Sequence, residues 1–250
     1  MPPKKKQGKN NNDIVDFYNH KEVQKLLTPY HNPNFEYHQI KVPFRAGIIG
    51  SSSAGKSQLL LNLIAKMDNT FGHIHIVYKA SEPLYEFLAK SIGDKNITFY
   101  TKLADLPLPN DFPHKDKQQM VVFDDCVNEK NQEMIKELFI RGRKIGKGLS
   151  LIYLSQSFFK IPKIIRQQFN YLFLLKLSSA RDLNLILSDF SLGVDKNKLV
   201  SIYKQATKDR FNFLKIDLDC ANENRKFSHN WTNFFKIEDV AGDSDSDEDN

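Results

Sequence analysis

The chain has 250 residues, of which 40% are hydrophobic and 12% aromatic, enough for one sizeable α/β core with appendages but too few for two independent enzymes. No apolar run approaches the roughly 18–20 residues that a helical membrane span needs. The lysine- and asparagine-rich start has no apolar segment of the kind a secretory signal carries. Two cysteines, Cys126 and Cys220, offer neither a disulfide framework nor a metal knuckle, and the expected setting is reducing and intracellular. The net charge of +6 hides an asymmetry, because Glu238–Asn250 carries seven acidic side chains and no basic one. The rest of the chain sets 36 basic residues against the remaining 23 acidic ones. A basic body with an acidic tail is common in proteins that handle polyanions.

In chain order, residues 1–12 are too polar to pack and are expected to be disordered. An extension over 13–40 follows. Its apolar spacing at Ile14, Phe17, Val23 and Leu26 predicts one or two short helices, and its aromatic stretch to Tyr37 predicts a loop over the core. The regular core is expected over 41–220. Strands are predicted at Phe44–Ile49, His73–Tyr78, Ile97–Tyr100, Met120–Phe123, Leu149–Leu154 and Tyr171–Leu177. Helical patterns lie between them, at Ser57–Met67, Pro83–Ile92, Glu133–Ile145 and Pro162–Gln168. Two further helices, Ala180–Asp189 and Lys196–Ala206, and a late strand, Phe211–Leu218, complete the core. Strands alternating with helices predict an α/β fold with a mainly parallel central sheet and helices on both faces. Leu149–Leu154 lacks polar alternation, as a strand buried on both sides should. Residues 221–237 read as a C-terminal extension and 238–250 as a disordered acidic tail.

Gly50-Ser51-Ser52-Ser53-Ala54-Gly55-Lys56-Ser57 fits the phosphate-loop pattern G-x-x-x-x-G-K-[ST] in full, with a strand leading in and a helix leading out. Small residues let backbone N–H groups curl around a β-phosphate, and the helix N-terminus adds a favourable dipole. Lys56 is expected to reach the β- and γ-phosphates of ATP, and Ser57 to ligate Mg²⁺. The apolar run Met120–Phe123 ends in Asp124 and Asp125, the form of a Walker B strand. Asp124 then holds the Mg²⁺ shell and Asp125 orients or deprotonates the attacking water, with Glu82, after the second strand, as its substitute. Gln156 stands where the buried strand Leu149–Leu154 ends, at the carboxyl edge of the sheet where ligands bind in open α/β folds.

Beyond the two acids the chain reads Arg143-Lys144-Ile145-Gly146-Lys147-Gly148, then the strand ending in Tyr153-Leu154-Ser155-Gln156-Ser157, then Ile161-Pro162-Lys163-Ile164-Ile165-Arg166. This succession resembles the genome-packaging ATPases of poxviruses, other large DNA viruses, virophages and Polinton-like elements, a branch of the FtsK–HerA superfamily of DNA pumps. The likeness covers about residues 44–190. It implies a P-loop NTPase core of RecA/FtsK–HerA type acting as a homo-oligomeric ring, a pentamer or hexamer, on double-stranded DNA. It also implies docking on capsid or vertex proteins, and a place in the host cytoplasm, the viral factory or the virion. One departure stands out: Gln167-Gln168 precede Asn170 where an asparagine is expected sooner after Arg166.

A ring of this kind completes each site with an arginine from the neighbouring subunit. Arg143, inside the family-like stretch, is the first candidate, with Arg141 and Arg166 as alternatives. Arg141 and Arg143 are two residues apart on a helical pattern, about 200° of rotation, and cannot both face one neighbouring nucleotide. Lys160, Lys163 and Arg166 surround a proline-bent loop with Phe158 and Phe159, either a pore-facing phosphate contact or a basic surface over a packed aromatic pair. His73 and His75 share one strand face and read as structural or surface histidines, since the two further ligands that a metal would need are not evident. Three other functions remain open on the residues alone: a helicase-type remodeller with the same core, a nucleotide-gated structural virion protein, and a small-molecule phosphotransferase. The last lacks any arginine-rich lid segment.

Overall fold

The computed structural model describes residues 15–27, 29–129 and 132–240. The basic start at 1–12 and the acidic, serine-containing stretch from 241 onward lie outside them. Among the described residues nine strands form one sheet: β1 Arg45–Ile49, β2 His73–Val77, β3 Ile97–Tyr100, β4 Gln119–Asp124, β5 Leu149–Ser155, β6 Tyr171–Leu174, β7 Leu214–Asp217, β8 Phe227–His229 and β9 Asn233–Phe234. Eight α-helices of the described residues accompany them: α1 Lys21–Leu26, α2 Phe35–His38, α3 Lys56–Lys66, α4 Pro83–Ile92, α5 Glu133–Arg141, α6 Lys163–Arg166, α7 Ala180–Asp189 and α8 Lys196–Ala206. The strand order is β3-β2-β4-β5-β1-β6-β7-β8-β9. The first six in this order pair in parallel and the last three add antiparallel.

Apart from β3, the parallel strands are buried along nearly their whole length because most of their residues are apolar, and alternate side chains enter two separate cores. Ile48, Ile74, Ile76, Val122, Ile152 and Phe173 meet α3 and α4 on one face. Val121, Phe123, Leu151, Tyr153 and Leu172 meet α5, α7 and α8 on the other. Each such side chain, fully withdrawn from water, contributes about 1.5–3 kcal/mol of transfer free energy. Gly47 is glycine for close packing: a Cβ there would come within 2.8 Å of the Phe169 ring.

The helices begin where their sequences cap them. Pro83 opens α4, the Ser179 hydroxyl accepts from the Asp182 N–H at the start of α7, and the Asp195 carboxylate accepts from Asn197 and Lys198 at the start of α8. Differences from the predicted elements are local. The helix expected through Ile145 ends at Arg141, and a 3-10 turn over Gly142–Lys144 replaces its last part. The strand expected through Leu177 ends at Leu174, because Lys176 turns its carbonyl to the phosphate loop instead. The late strand starts at Leu214 rather than Phe211, since its antiparallel partner β6 ends at Leu174, opposite Leu214. The loop expected up to Tyr37 contains the short helix α2. Residues 221–237 supply β8 and β9, which continue the sheet.

The N-terminal extension is tied into this edge. Ile40 and His38 are fully buried. The buried Lys215 ammonium, on β7, donates to the His38 carbonyl at 3.0 Å and to the Trp231 carbonyl. Burial lowers this lysine to about 8. One cation thereby joins the segment before β1 to the hairpin after β7, a link between residues far apart in sequence.

Candidate functional site

The phosphate loop follows β1 directly. Gly50 N–H donates to the Ser155 carbonyl at 3.2 Å, and Ser51 donates from its N–H and its hydroxyl to the Lys176 carbonyl. The loop is thus pinned between the ends of β5 and β6. Gly50 has no room for a side chain, as a Cβ would stand 2.9 Å from Leu175 Cβ and 3.2 Å from Ala54 Cβ. Gly55 adopts φ 101°, a left-handed conformation that favours glycine, and caps α3. Lys56 folds back over the loop, its ammonium donating to the carbonyls of Gly50 and Ser51 at 3.1 and 3.2 Å. Burial lowers its pKa, while Asp124, Asp125 and Glu82 act the other way. Among the described residues its hydrogen-bond partners are these two carbonyls.

The sheet order decides what faces the loop. β5 lies between β1 and β4, so Ser155-Gln156 separates the phosphate loop from Asp124-Asp125. A cavity of about 510 Å³ at this edge is lined by Ser52, Ser53, Gly55, Lys56, Ser57, Glu82, Asp124, Asp125 and Gln156, among others. The structure thus brings the predicted residues Lys56, Ser57, Asp124, Asp125 and Gln156 together. Asp124 closes β4 half-buried. Burial and then the neighbouring Glu82 and Asp125 raise its pKa, against the Tyr85 hydroxyl and Lys56, which lower it. Asp125 is exposed and adopts φ 52°. Aspartate is among the few residues enriched in that left-handed region, a physical reason for the shorter acid at this position. The Gln156 amide is exposed and has no hydrogen-bond partner among the described residues.

Three further residues that line the cavity, and one that braces its wall, escape the sequence. Tyr85, buried in the first turn and a half of α4, donates its hydroxyl to Asp124 Oδ2 at 2.6 Å. Its own pKa is raised, first by burial and then by Asp124, with the Ser57 side chain beside it opposing. Lys79 lines the cavity and pairs with Glu129. Arg210 and Phe211 reach it from the loop between α8 and β7. Pro83 marked where α4 begins, and a tyrosine two residues on was the available signal. Nothing in the sequence connected Arg210 or Phe211 to the loop 155 residues earlier.

The arginine candidates lie elsewhere. Arg141 pairs with Glu137 on its own helix. Arg166 stacks over Phe158, 4.7 Å from the ring centroid, and approaches Asp189 at 3.5 Å, so it is held within the chain. Arg143 is exposed, precedes β5 and lies near Arg45, whose pKa it lowers after burial has done so. Arg45 opens β1, so Arg143 sits at the amino edge of the sheet, opposite the cavity of its own chain. In the bent loop Phe158 and Ile161 are buried, whereas Phe159, Lys160, Lys163 and Ile164 are exposed, with the Arg181 guanidinium 4.4 Å from the Phe159 ring centroid.

His73 bonds to Thr98 and stacks with His114, and His75 bonds to Tyr100 and Gln119. Among the described residues no group of three or more His, Cys, Asp or Glu forms a metal cage, and no helix is long and apolar enough to cross a membrane.

No protein-family model matches the chain, and no curated protein does. Solved structures do. The DNA-packaging ATPase B204 from Sulfolobus turreted icosahedral virus superposes with a TM-score of 0.50 at 17% identity, over 76% of this chain and 95% of that one. The genome-packaging NTPase B204 from Sulfolobus turreted icosahedral virus 2 gives 0.52 at 15% identity in its sulfate complex, over 72% of this chain and 94% of that one. Its AMPPCP complex gives 0.51 at 15%, over 72% and 95%. These neighbours are viral packaging ATPases, the kind of protein that the sequence resembles. At such identities the likeness establishes the fold, a P-loop ATPase core built on a large, mostly parallel sheet.

Proposed function

We propose that this chain is an ATP-hydrolysing motor that moves double-stranded DNA, packaging a viral genome into a preformed capsid as a ring of identical subunits. The observation that carries the reading is the single cavity shared by a complete phosphate loop, the Asp124-Asp125 pair and Gln156 on the strand between them. The fold shared with structures described as packaging ATPases, one of them in complex with AMPPCP, supports the same reading.

The residues suit the chemistry. Loop N–H groups beyond Ser51, whose own N–H is held by the Lys176 carbonyl, suit the β-phosphate. Lys56 exchanges its two carbonyl partners for β- and γ-oxygens as nucleotide enters. The Ser57 hydroxyl and the Asp124 carboxylate, hard oxygen donors lining the same cavity, would hold Mg²⁺. Held there, the ion would neutralise developing phosphate charge. Tyr85 holds Asp124 in place from behind. Asp125 orients the attacking water and accepts its proton, and Gln156 positions that water against the γ-phosphate. Arg143, exposed at the opposite edge, is free to serve a neighbouring subunit's nucleotide. The Arg181–Phe159 pair with Lys160 and Lys163 forms a basic surface suited to sequence-independent phosphate contacts.

The test is ATP turnover with and without duplex DNA, alongside a strand-separation assay. Duplexes of unrelated sequence should stimulate turnover alike, the effect should fade steeply as salt rises, and strands should stay paired. Unwinding would make the protein a helicase-type remodeller, and turnover indifferent to DNA would remove the motor.

A further inference from the structure

A nucleotide held by the phosphate loop has two ends. The γ-phosphate must face Asp124, Asp125 and Gln156, on the β5/β4 side of β1, so the nucleoside must leave the loop on the β6/β7 side. There a second cleft of about 360 Å³ opens, walled by Ser51–Ala54 on one side and by the Thr207–Asn212 loop on the other. It adjoins the phosphate cavity, with which it shares Ser52, Ser53, Arg210 and Phe211. The topology explains this meeting. β7 runs antiparallel to β6, so the loop that precedes β7 sits at the carboxyl edge of the parallel strands, above the phosphate loop.

That loop presents a flat surface. The Arg210 guanidinium lies 4.5 Å from the centroid of the Phe211 ring, and Phe211 is 44% exposed. Phe211 holds φ 69°, a left-handed conformation that an aromatic residue rarely adopts. The conformation turns the ring toward Gly55, where an added Cβ would collide with it. The loop is braced from behind. The Thr207 hydroxyl donates to the Tyr203 carbonyl at 2.8 Å, Asn230 donates to Asn212 Oδ1 at 3.1 Å, and the Phe213 N–H donates back to Asn230 Oδ1 at 3.1 Å. Bases stack on aromatic rings and on guanidinium planes, and a braced platform has little conformational freedom to lose when one does. Asp209, the one carboxylate lining this cleft, offers an acceptor for ribose hydroxyls.

We infer that the Asp209–Phe211 segment is the nucleoside subsite of this chain, stacking a purine base on the Arg210–Phe211 pair while the phosphate loop holds the triphosphate. The inference rests on the proposed nucleotide site and adds the residues that bind the base.

Calorimetric titration of the full chain with Mg²⁺-ATP and with Mg²⁺-tripolyphosphate separates the two ends. Phe211→Ala and Arg210→Ala should each weaken ATP by about tenfold, the scale of one base–aromatic stack, and leave tripolyphosphate within about twofold. Phe211→Trp, which keeps an aromatic face, should restore ATP binding. Equal loss of both ligands in Phe211→Ala would mean that the ring only shapes the phosphate loop, and unchanged ATP affinity in both alanine variants would mean that the base binds elsewhere. Either result overturns the subsite. The underlying site is judged separately by Lys56→Ala, which should lose both ligands. A wild-type chain that bound neither would remove the nucleotide site and the subsite together.

Discussion

His75 predicts how the fold responds to acid. Its imidazole is fully buried on β2, bonded through Nε2 to Gln119 Oε1 and through Nδ1 to the Tyr100 hydroxyl, both at 3.0 Å. The groups facing it are His73, with ring centroids 4.7 Å apart, then Phe112, Tyr100 and Gln119. Burial lowers its pKa from 6.5 to about 4, and the charges of His73 and His114 act the same way, against the Gln119 hydrogen bond. A base whose folded pKa is lowered stays neutral in the fold while the unfolded chain takes up a proton. Stability therefore falls as pH drops from 6.5 toward 4 and levels off below that. The interval corresponds to about 3 kcal/mol in full, of which about 2 kcal/mol is lost between pH 7 and pH 5. That is a large share of the ~5–15 kcal/mol typical of a domain. The assay is urea unfolding at pH 7, 6 and 5 for the wild type and for His75→Gln, which retains polar atoms but does not titrate. The variant starts less stable at pH 7, because it replaces two good hydrogen bonds, but should lose about 2 kcal/mol less on the way to pH 5. His38, also buried and lowered to about 4, contributes the same trend to both proteins and cancels in the comparison. Equal pH slopes in the two proteins would refute the reasoning and place His75 in a site that accommodates its charge.

Two further outcomes concern the site. Asp125→Asn should bind ATP with near wild-type affinity but turn it over about 10²-fold or more slowly, as expected when a general base is lost; wild-type turnover in single-turnover assays would transfer the role to Glu82, which lines the same cavity. Because Arg143 lies at the sheet edge opposite its own cavity, mixing Arg143→Ala subunits with Lys56→Ala subunits, each inactive alone, should restore part of the turnover at mixed interfaces. Rescue by Arg141→Ala instead would reassign the arginine, and absence of rescue with either would argue against a shared site.

What the sequence determined about this protein is local. Gly50–Ser57 is legible because a phosphate loop needs small residues and two glycines within eight positions, and its form barely depends on the rest of the chain. The strands β4 and β5 are legible because a strand buried on both faces is apolar over most of its length, and the helices because their periodicity and caps lie within a few residues. Asp124, Asp125 and Gln156 follow, since each ends such a strand at the edge where parallel strands present their ligands. Tertiary structure decided the rest, which depends on contacts between residues distant in the chain. The position of β5 between β1 and β4, which sets Gln156 between the phosphate loop and the two acids, is a pairing choice that no single strand encodes. Tyr85 reaches Asp124 across 39 residues, and Lys215 reaches the His38 carbonyl across 177. Phe211 reads as the first residue of a strand, yet stands outside it in a left-handed turn against Gly55, because β7 can begin only where β6 offers a partner. Periodicity reports which face of an element is buried; which distant side chain waits there is settled only when the chain closes on itself.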